Sequence, residues 1–315
     1  MRRRRNRNPA ALPLLLGGAT LLAFDIARRI YRHTQIFAPD RAPLRTWNPA
    51  DYGIPEDAVE ENWIDTPDGE VLHAWYCRAK NPKASGLFCH GNTGNLTISA
   101  DVIPHLLDAG FNILIFDYRG FGRSSGRASY RGVISDGITA ARFHDAIRPQ
   151  HIPSILYGFS LGGAIAAQVI RRHPFDAMIL QSTFTSLPQI TRVLFPRLPL
   201  HLFAGRLFDT ISVVRRLEVP LLILHGADDE VAPCWMAHQL HDACPSPKRI
   251  HTVDGGLHKD IFERDPDALI WAVSQFIAEL PARRHPLTIE NPPAVEQWTD
   301  FALRALRRAF RKVPA

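Results

Sequence analysis

The chain has 315 residues, of which 46% are hydrophobic and 22% charged, and this is long enough to bury the core of one large α/β domain. Its net charge of +6 comes from its ends, with five arginines between Arg2 and Arg7 and five basic residues between Arg304 and Lys312. Without these ten of its 37 basic residues, the body carries 27 basic against 31 acidic residues. The body therefore lacks the basic surface that nucleic-acid binding requires, and we expect no nucleic-acid partner.

The first 32 residues combine a basic start with an apolar run from Ala10 to Phe24. This run is short for a membrane-spanning helix and long for the core of a signal peptide. We predict that segment 1–32 is a retained single-pass anchor, although Gly17-Gly18-Ala19 also fits a weak cleavage site. More basic residues precede the run than follow it, which favours a membrane protein with its main domain on the non-cytoplasmic side. A cytoplasmic domain is the alternative.

Strands and helices alternate through residues 45–281, which we predict to be one domain. Most of the strands are short and continuously apolar, as in a sheet covered on both faces. The Thr66-Pro67-Asp68-Gly69 turn predicts an antiparallel hairpin at the leading edge. The alternation predicts an α/β fold with an eight-stranded, mostly parallel sheet and helices on both faces. The predicted strands are 62–65, 71–77, 86–89, 112–116, 154–157, 177–181, 221–224 and 248–253, and the predicted helices are 96–109, 135–147, 161–172, 235–243 and 267–279.

A loop of small residues, His90-Gly91-Asn92-Thr93-Gly94-Asn95, follows the third predicted strand. Such a loop exposes backbone N–H groups at the carboxyl edge of the sheet, and that of Asn92 is the best candidate. The Asp117-Tyr118-Arg119-Gly120 block follows another strand, and we interpret it as scaffold for the same edge. We expect His90 and His225 to orient loops at the strand ends.

The most informative segment is Gly158-Phe159-Ser160-Leu161-Gly162, which joins a predicted strand to a predicted helix. A serine at such a corner is held clear of the backbone at the carboxyl edge of the sheet. The flanking glycines allow strand and helix to pass closely. The helix also directs its first unpaired N–H groups at the serine, so the Leu161 and Asn92 amides are candidate donors to an oxyanion. Ser160 is the candidate nucleophile.

An insertion of about forty residues separates the strand that ends near Gln181 from the strand that starts at Leu221. Loops of this length in a compact domain are usually functional, and we predict a small lid over the serine at about 183–214. Its apolar stretch from Leu194 to Phe203 favours a substrate with a hydrocarbon portion, such as an acyl chain. Alternatively, these residues only pack the lid onto the domain.

A candidate base and candidate acids follow the serine in the chain. A serine hydroxyl needs an imidazole to take its proton, and the imidazole needs a carboxylate to fix its tautomer. His258 lies in a glycine-rich loop after the last predicted strand, and Asp228, Asp229 and Glu230 follow the strand before it. Asp228 and Asp229 both remain possible acids. We expect Asp228 and Glu230 to cap the helix that starts at Trp235 instead of acting on substrate.

The carboxyl-terminal residues divide into a Pro-rich linker, 282–297, and a basic amphipathic helix, 298–315. Apolar residues from Trp298 to Val313 share one helical face, and basic residues take the other. Such a helix either lies in a lipid interface or docks on the domain. Membrane lipid is thus an expected partner through the amino-terminal segment, and this helix offers a second contact.

Together these blocks resemble the α/β-hydrolase superfamily over most of the chain. Within it, the sequence is most similar to the small-cap, membrane-linked group that includes acyl-protein thioesterases. The resemblance implies the α/β-hydrolase fold with a small lid insertion, and it implies Asn92 and Leu161 as oxyanion donors. In that group the acid lies three residues after the glycine of a His-Gly pair, here His225-Gly226, which selects Asp229 and leaves Asp228 as the fallback.

We therefore expect Ser160, Asp229 and His258 to form a triad that cleaves ester or thioester bonds through an acyl-enzyme. The expected substrates are small-molecule or acylated, lipid-like compounds near a membrane. No metal or organic cofactor is implied, because triad chemistry is self-contained. Two alternatives stay open: a serine aminopeptidase, and a membrane-tethered binding or scaffold protein that keeps the fold without turnover.

Overall fold

The structure, a computed structural model, describes residues 36–199, 201–205 and 207–280. The predicted anchor (1–32), Pro-rich linker (282–297) and amphipathic helix (298–315) lie outside these residues, and they stay predictions. Among the helices that the structure does describe, none combines the length and the apolar character needed to cross a bilayer.

An eight-stranded sheet organises the domain. The strands of the described ranges are β1 (Ala38–Pro39), β2 (Val59–Asp65), β3 (Val71–Cys77), β4 (Ala84–Cys89), β5 (Thr93–Gly94), β6 (Phe111–Phe116), β7 (Ser154–Phe159), β8 (Ala177–Gln181), β9 (Leu221–Gly226) and β10 (Lys248–Val253). Eight of them lie in the order β10-β9-β8-β7-β4-β6-β3-β2. All neighbours pair in parallel except β2 with β3 and β3 with β6. The predicted mostly parallel sheet with an antiparallel leading edge is confirmed.

Helices cover both faces of this sheet. They are α1 (Ile103–Asp108), α2 (Tyr130–Ile147), α3 (Leu161–Ile170), α4 (Leu187–Leu194), α5 (His201–Ala204), α6 (Thr210–Val214), α7 (Trp235–Ala243), α8 (Ile261–Arg264) and α9 (Pro266–Glu279). Side chains along a strand alternate between two apolar clusters, so Leu87 joins one cluster and its neighbour Phe88 joins the other. The first cluster includes residues of α2, α3 and α7, and the second includes residues of α1 and α9.

Two helices differ by more than two residues from their predicted bounds. The predicted helix 96–109 is split into a 3₁₀ segment, Leu96–Val102, and α1. Pro104 explains the split, because it lacks the N–H that a continuous α-helix would donate to the preceding turn. Helix α2 begins before its predicted start because the Ser129 hydroxyl caps it, accepting from the Gly132 N–H at 3.1 Å.

Three short helices, α4 to α6, occupy the segment between β8 and β9 that the sequence predicts to be a lid. Leu187 and Ile190 on α4 are buried. Large apolar side chains in the same segment remain in solvent with 39–67% of their surface exposed: Leu194, Phe195, Leu198 and Leu202. The segment therefore packs onto the domain and also leaves apolar side chains exposed, while its role in binding a hydrocarbon chain stays a prediction.

Candidate active site

Ser160 lies at the corner between β7 and α3, at the carboxyl edge of the sheet. Its backbone has φ 53° and ψ −121°, which residues with a side chain rarely adopt. The Ser160 N–H donates to the Gln181 carbonyl at 2.9 Å, and the Thr183 hydroxyl donates to the Ser160 carbonyl at 2.7 Å. These bonds hold the strained corner in place, and such strain is concentrated at functional sites.

Close contacts explain the glycines on either side of Ser160. A Cβ atom on Gly162 would lie 1.9 Å from the carbonyl oxygen of Cys89 on β4. A Cβ atom on Gly158 would lie 2.5 Å from the Cα of Gly163. Both clashes involve backbone atoms, so no side-chain rearrangement relieves them. The corner that presents Ser160 forms only with glycine at these positions.

The structure brings together the three residues that the sequence places far apart. His258 Nε2 lies 3.0 Å from the Ser160 hydroxyl oxygen. His258 Nδ1 lies 3.0 Å from Oδ1 and 2.9 Å from Oδ2 of Asp229. With the proton on Nδ1 donated to Asp229, Nε2 is the nitrogen that accepts a proton from the serine.

Asp229 receives hydrogen bonds from several groups besides His258. Its Oδ1 accepts from the Val231 and Ala232 N–H groups at 2.9 and 2.7 Å. His225 Nε2 lies 3.2 Å from Oδ2 and 2.6 Å from the Ala232 carbonyl oxygen. Burial by itself would raise the pKa of Asp229, but the bonds from His225, His258 and the Ala232 amide hold that pKa well below its usual range. Asp229 is therefore an oriented carboxylate at neutral pH.

The contact between His225 and Asp229 is missing from the sequence-based interpretation, which expects His225 only to orient a loop. The two residues lie four apart across the end of β9. That spacing carries no signal by itself, because it brings side chains together only in a helix or in a turn of particular shape. Only the folded shape of the turn after β9 brings the two side chains together.

The capping role predicted for Asp228 and Glu230 is wrong. Helix α7 begins after Cys234 and has no side-chain cap. The Glu230 carboxylate instead accepts from the His258 N–H at 3.1 Å, so it fixes the loop that carries the imidazole. Asp228 is exposed, and His258 contacts Asp229 rather than this fallback acid.

Asn92 and Leu161 border a common space. Both residues line a cleft together with Ser160. Within the described ranges, neither N–H makes a turn, loop or cap hydrogen bond to a backbone carbonyl. Leu161 is the first residue of α3, whose first N–H groups have no partner inside the helix and whose dipole favours an anion. Both amides are therefore available to a ligand.

Scaffold residues hold the 90–95 loop in place. The Asp117 carboxylate accepts from the Leu96 N–H at 2.6 Å, just beyond the loop. The Tyr118 hydroxyl donates to the His90 carbonyl at 3.0 Å. Burial lowers the pKa of His90, so its imidazole is neutral and packs against the Tyr118 ring. These contacts agree with the scaffold role interpreted for the Asp117-Tyr118-Arg119-Gly120 block.

Two clefts meet at Ser160. The first has a volume of about 100 Å³ and runs beneath the lid, and we call it the lid cleft. None of the described residues that line it carries a charge, and its walls are mainly apolar: Ile36, Phe184, Leu187, Ile190, Leu194 and Phe195.

The second cleft has a volume of about 230 Å³, and we call it the histidine cleft because His258 lies in its wall. Thr93, Ile98 and Lys259 also line it. Nowhere in the described ranges do three or more His, Cys, Asp or Glu side chains converge as metal ligands. The groups that the site does offer are a hydrogen-bonded alcohol, an imidazole, a carboxylate and two free amides.

Comparison with known proteins gives related sequences and a related structure. A family model described as serine aminopeptidase, S33, matches residues 80–215. Alpha/beta hydrolase domain-containing protein 17B of Xenopus tropicalis is 31% identical, over 65% of this chain and 71% of that protein. An uncharacterized protein of Mycobacterium tuberculosis (strain CDC 1551 / Oshkosh) is 31% identical, over 86% of this chain and 94% of the relative.

Among solved structures, an esterase of Pyrococcus furiosus superposes with a TM-score of 0.64 at 18% identity. The superposition covers 78% of this chain and 98% of that chain. At this identity the likeness extends to the fold. The two relatives are similar in sequence to most of the domain, which indicates common descent.

Proposed function

The chain belongs to the α/β-hydrolase superfamily, and on that basis we propose that it is a serine hydrolase of carboxylic esters or thioesters. The observation that carries this proposal is the position of the Ser160 hydroxyl, 3.0 Å from an imidazole whose other nitrogen lies 2.9 Å from a buried carboxylate. Such an arrangement makes an ordinary alcohol nucleophilic at neutral pH.

The proposed reaction has two halves. Ser160 attacks the carbonyl carbon, and its proton passes to His258 Nε2. The Asn92 and Leu161 amides donate to the resulting oxyanion, and losing one such donor typically lowers the rate by ~10²–10³. The acyl bond then breaks, the leaving alcohol or thiol takes the proton from His258, and an acyl-enzyme remains. Water then attacks the acyl-enzyme through the same steps, and the carboxylic acid is released. Asp229 keeps His258 oriented and stabilises its charged form.

We propose an acyl chain as the hydrocarbon portion of the substrate. The lid cleft supports this, because its apolar walls begin at Ser160 and run under α4. Thioesters are included because the sequence is similar to the group that contains acyl-protein thioesterases. Each methylene buried in such a cleft contributes about 0.8 kcal/mol.

We also propose that the protein works at a membrane surface. The basic and apolar segment 1–32 and the basic helix predicted at 298–315 support this from the sequence. The exposed apolar side chains of the lid, including Leu198 and Leu202, support it from the structure because the same segment supplies Leu194 and Phe195 to the wall of the lid cleft. The non-cytoplasmic side is our proposed location for the domain.

The family description favours a second candidate, an aminopeptidase. In that reaction the acyl half of the substrate carries an α-ammonium group. The lid cleft has no carboxylate among its described lining residues to pair with such a charge. Burying an ammonium there without a partner is unfavourable, so esters of neutral acids are the better fit. A scaffold protein without turnover would not require the hydrogen bonds that join Ser160, His258 and Asp229.

A series of p-nitrophenyl esters with acyl chains of increasing length tests the proposal. We expect kcat/KM to rise by up to about fourfold per methylene until the lid cleft is filled. Ser160→Ala is expected to lower kcat by at least about 10³-fold while leaving the melting temperature close to that of the wild type.

Two results would count against the proposal. Equal hydrolysis by wild type and Ser160→Ala would remove the serine from the reaction. Activity confined to acetyl esters would reject the acyl-chain assignment. Faster cleavage of aminoacyl than of matched acyl substrates would favour the aminopeptidase.

A further inference from the structure

We propose that the leaving group of the substrate binds in the histidine cleft and carries an anion, a carboxylate or a phosphate, that Lys259 recognises. This inference rests on the proposed function and extends it to the alcohol or thiol that the reaction releases. It makes Lys259 a specificity-determining residue.

The direction of proton transfer assigns the two clefts to the two halves of the substrate. When the tetrahedral intermediate breaks down, the proton on His258 Nε2 passes to the departing oxygen or sulfur atom. That atom must lie against the imidazole, so the chain attached to it leaves along the wall that contains His258. The imidazole lies in the wall of the histidine cleft and not in that of the lid cleft. The acyl chain therefore takes the lid cleft.

Lys259 supplies the charge of the histidine cleft. Among the described residues that line this cleft, only Lys259 and His258 carry ionisable side chains. The same lysine lines an adjoining lobe of about 30 Å³, which shares Ile98 and Phe159 with the histidine cleft. Lys259, an exposed residue, thus borders the space that the far end of a leaving group would occupy.

Two carboxylates that contact the loop carrying Lys259 have other partners. Glu230 accepts from the His258 N–H at 3.1 Å. Asp260 accepts from the Leu257 N–H at 2.6 Å and pairs with Arg264 at 3.2 Å. No carboxylate of the described ranges forms an ion pair with Lys259 itself. An ammonium without an acidic partner, beside a cleft that has no negative group in its wall, selects an anionic ligand.

Matched thioesters test this assignment. The acyl group is butanoyl throughout, and the leaving thiols have equal length and end in a hydroxyl, a carboxylate, a phosphate or a trimethylammonium group. For the wild type we expect kcat/KM to be about threefold higher for the anionic thioesters than for the neutral one, as for a solvent-exposed ion pair. The preference should shrink at 0.5 M NaCl, where charges are screened within about 4 Å.

Substitutions of Lys259 should move this ratio. Lys259→Met should abolish the preference for an anion, and Lys259→Glu should reverse it in favour of trimethylammonium. The control is Lys80→Glu, the same charge change at an exposed lysine. Lys80 follows β3, whose last residue pairs with Ile113 near the start of β6, so it lies at the edge of the sheet opposite Ser160. We expect Lys80→Glu to keep the wild-type ratio.

The outcomes separate this inference from the proposed function. An identical ratio in wild type, Lys259→Met and Lys259→Glu would overturn the inference, and so would an equal shift in Lys80→Glu. Turnover that is lost in Ser160→Ala would still support the hydrolase. No turnover of the four thioesters or of the p-nitrophenyl esters by folded protein would reject the proposed function itself, whereas turnover of the p-nitrophenyl esters alone would overturn the inference. A preference for only one of the two anions supports the inference and identifies the group.

Discussion

Asp229 shows how much of this site depends on groups that never touch the substrate. Its carboxylate is held by the Val231 and Ala232 amides and by the imidazoles of His225 and His258. Only the last of these belongs to the proposed triad. His225 is a positioning residue, because it acts on the reaction through the orientation and ionisation of Asp229.

The pH dependence of kcat/KM tests this arrangement. The reaction needs a base that accepts the proton of Ser160, so kcat/KM falls on the acidic side. The pKa of Asp229 lies well below its usual range, so this carboxylate should stay ionised throughout the acidic limb. We expect log(kcat/KM) to fall with a slope of one down to about pH 4.

His225→Gln sharpens the same test. Removing one of the bonds that lower the pKa of Asp229 should bring protonation of the carboxylate to higher pH, and the acidic limb should steepen towards a slope of two. Gln retains a donor, so loss of activity at neutral pH should be modest, about tenfold or less. A slope of two already in the wild type, or an unchanged profile in the variant, would contradict this role.

At the level of helices and strands, local features were predictable from their own residues, and contacts such as that of Glu230 were not. The corner between β7 and α3 was predicted from its own residues, and Gly158 is required by a clash within it, whereas the clash at Gly162 is with Cys89 on β4. Pro104 could have indicated the break in the predicted helix 96–109, since its missing N–H is a local property. The actual partner of Glu230 lies 28 residues away, and no periodicity in the sequence points to it.

Gly162→Ala tests the close approach of α3 to β4. The added Cβ would lie 1.9 Å from a backbone carbonyl, so α3 must shift, and the free energy of unfolding should fall by about 1–3 kcal/mol or more. Because the shift also moves Ser160, kcat/KM should fall.

The matched control is Gly69→Ala. Gly69 has φ +89° and open space around the position of a Cβ, so only backbone strain of about 1–2 kcal/mol is expected. Its kcat/KM should equal that of the wild type. Thermal unfolding measured with circular dichroism compares the two variants, and a Gly162→Ala protein as stable and active as wild type would contradict the close approach.

At the scale of the whole molecule, one edge of the sheet brings together three residues that lie far apart in the sequence. Ser160, Asp229 and His258 follow β7, β9 and β10, whose parallel pairing brings their carboxyl ends to one edge. The sequence predicted this convergence because the order of strands and loops matches a known superfamily. It could not indicate the lid cleft and the histidine cleft, because each is bounded by side chains from several elements that meet only on folding.

Covalent labelling by a fluorophosphonate, followed by intact-protein mass spectrometry, tests the nucleophile most directly. We expect the wild type to gain one label, on Ser160, because the imidazole of His258 activates that hydroxyl and the Asn92 and Leu161 amides bind the phosphonyl oxygen. Asp229→Asn should react at least about 10²-fold more slowly, since His258 loses its orienting carboxylate. Folded wild-type protein that stays unlabelled, or Ser160→Ala protein that is labelled to the same extent, would contradict the proposed mechanism.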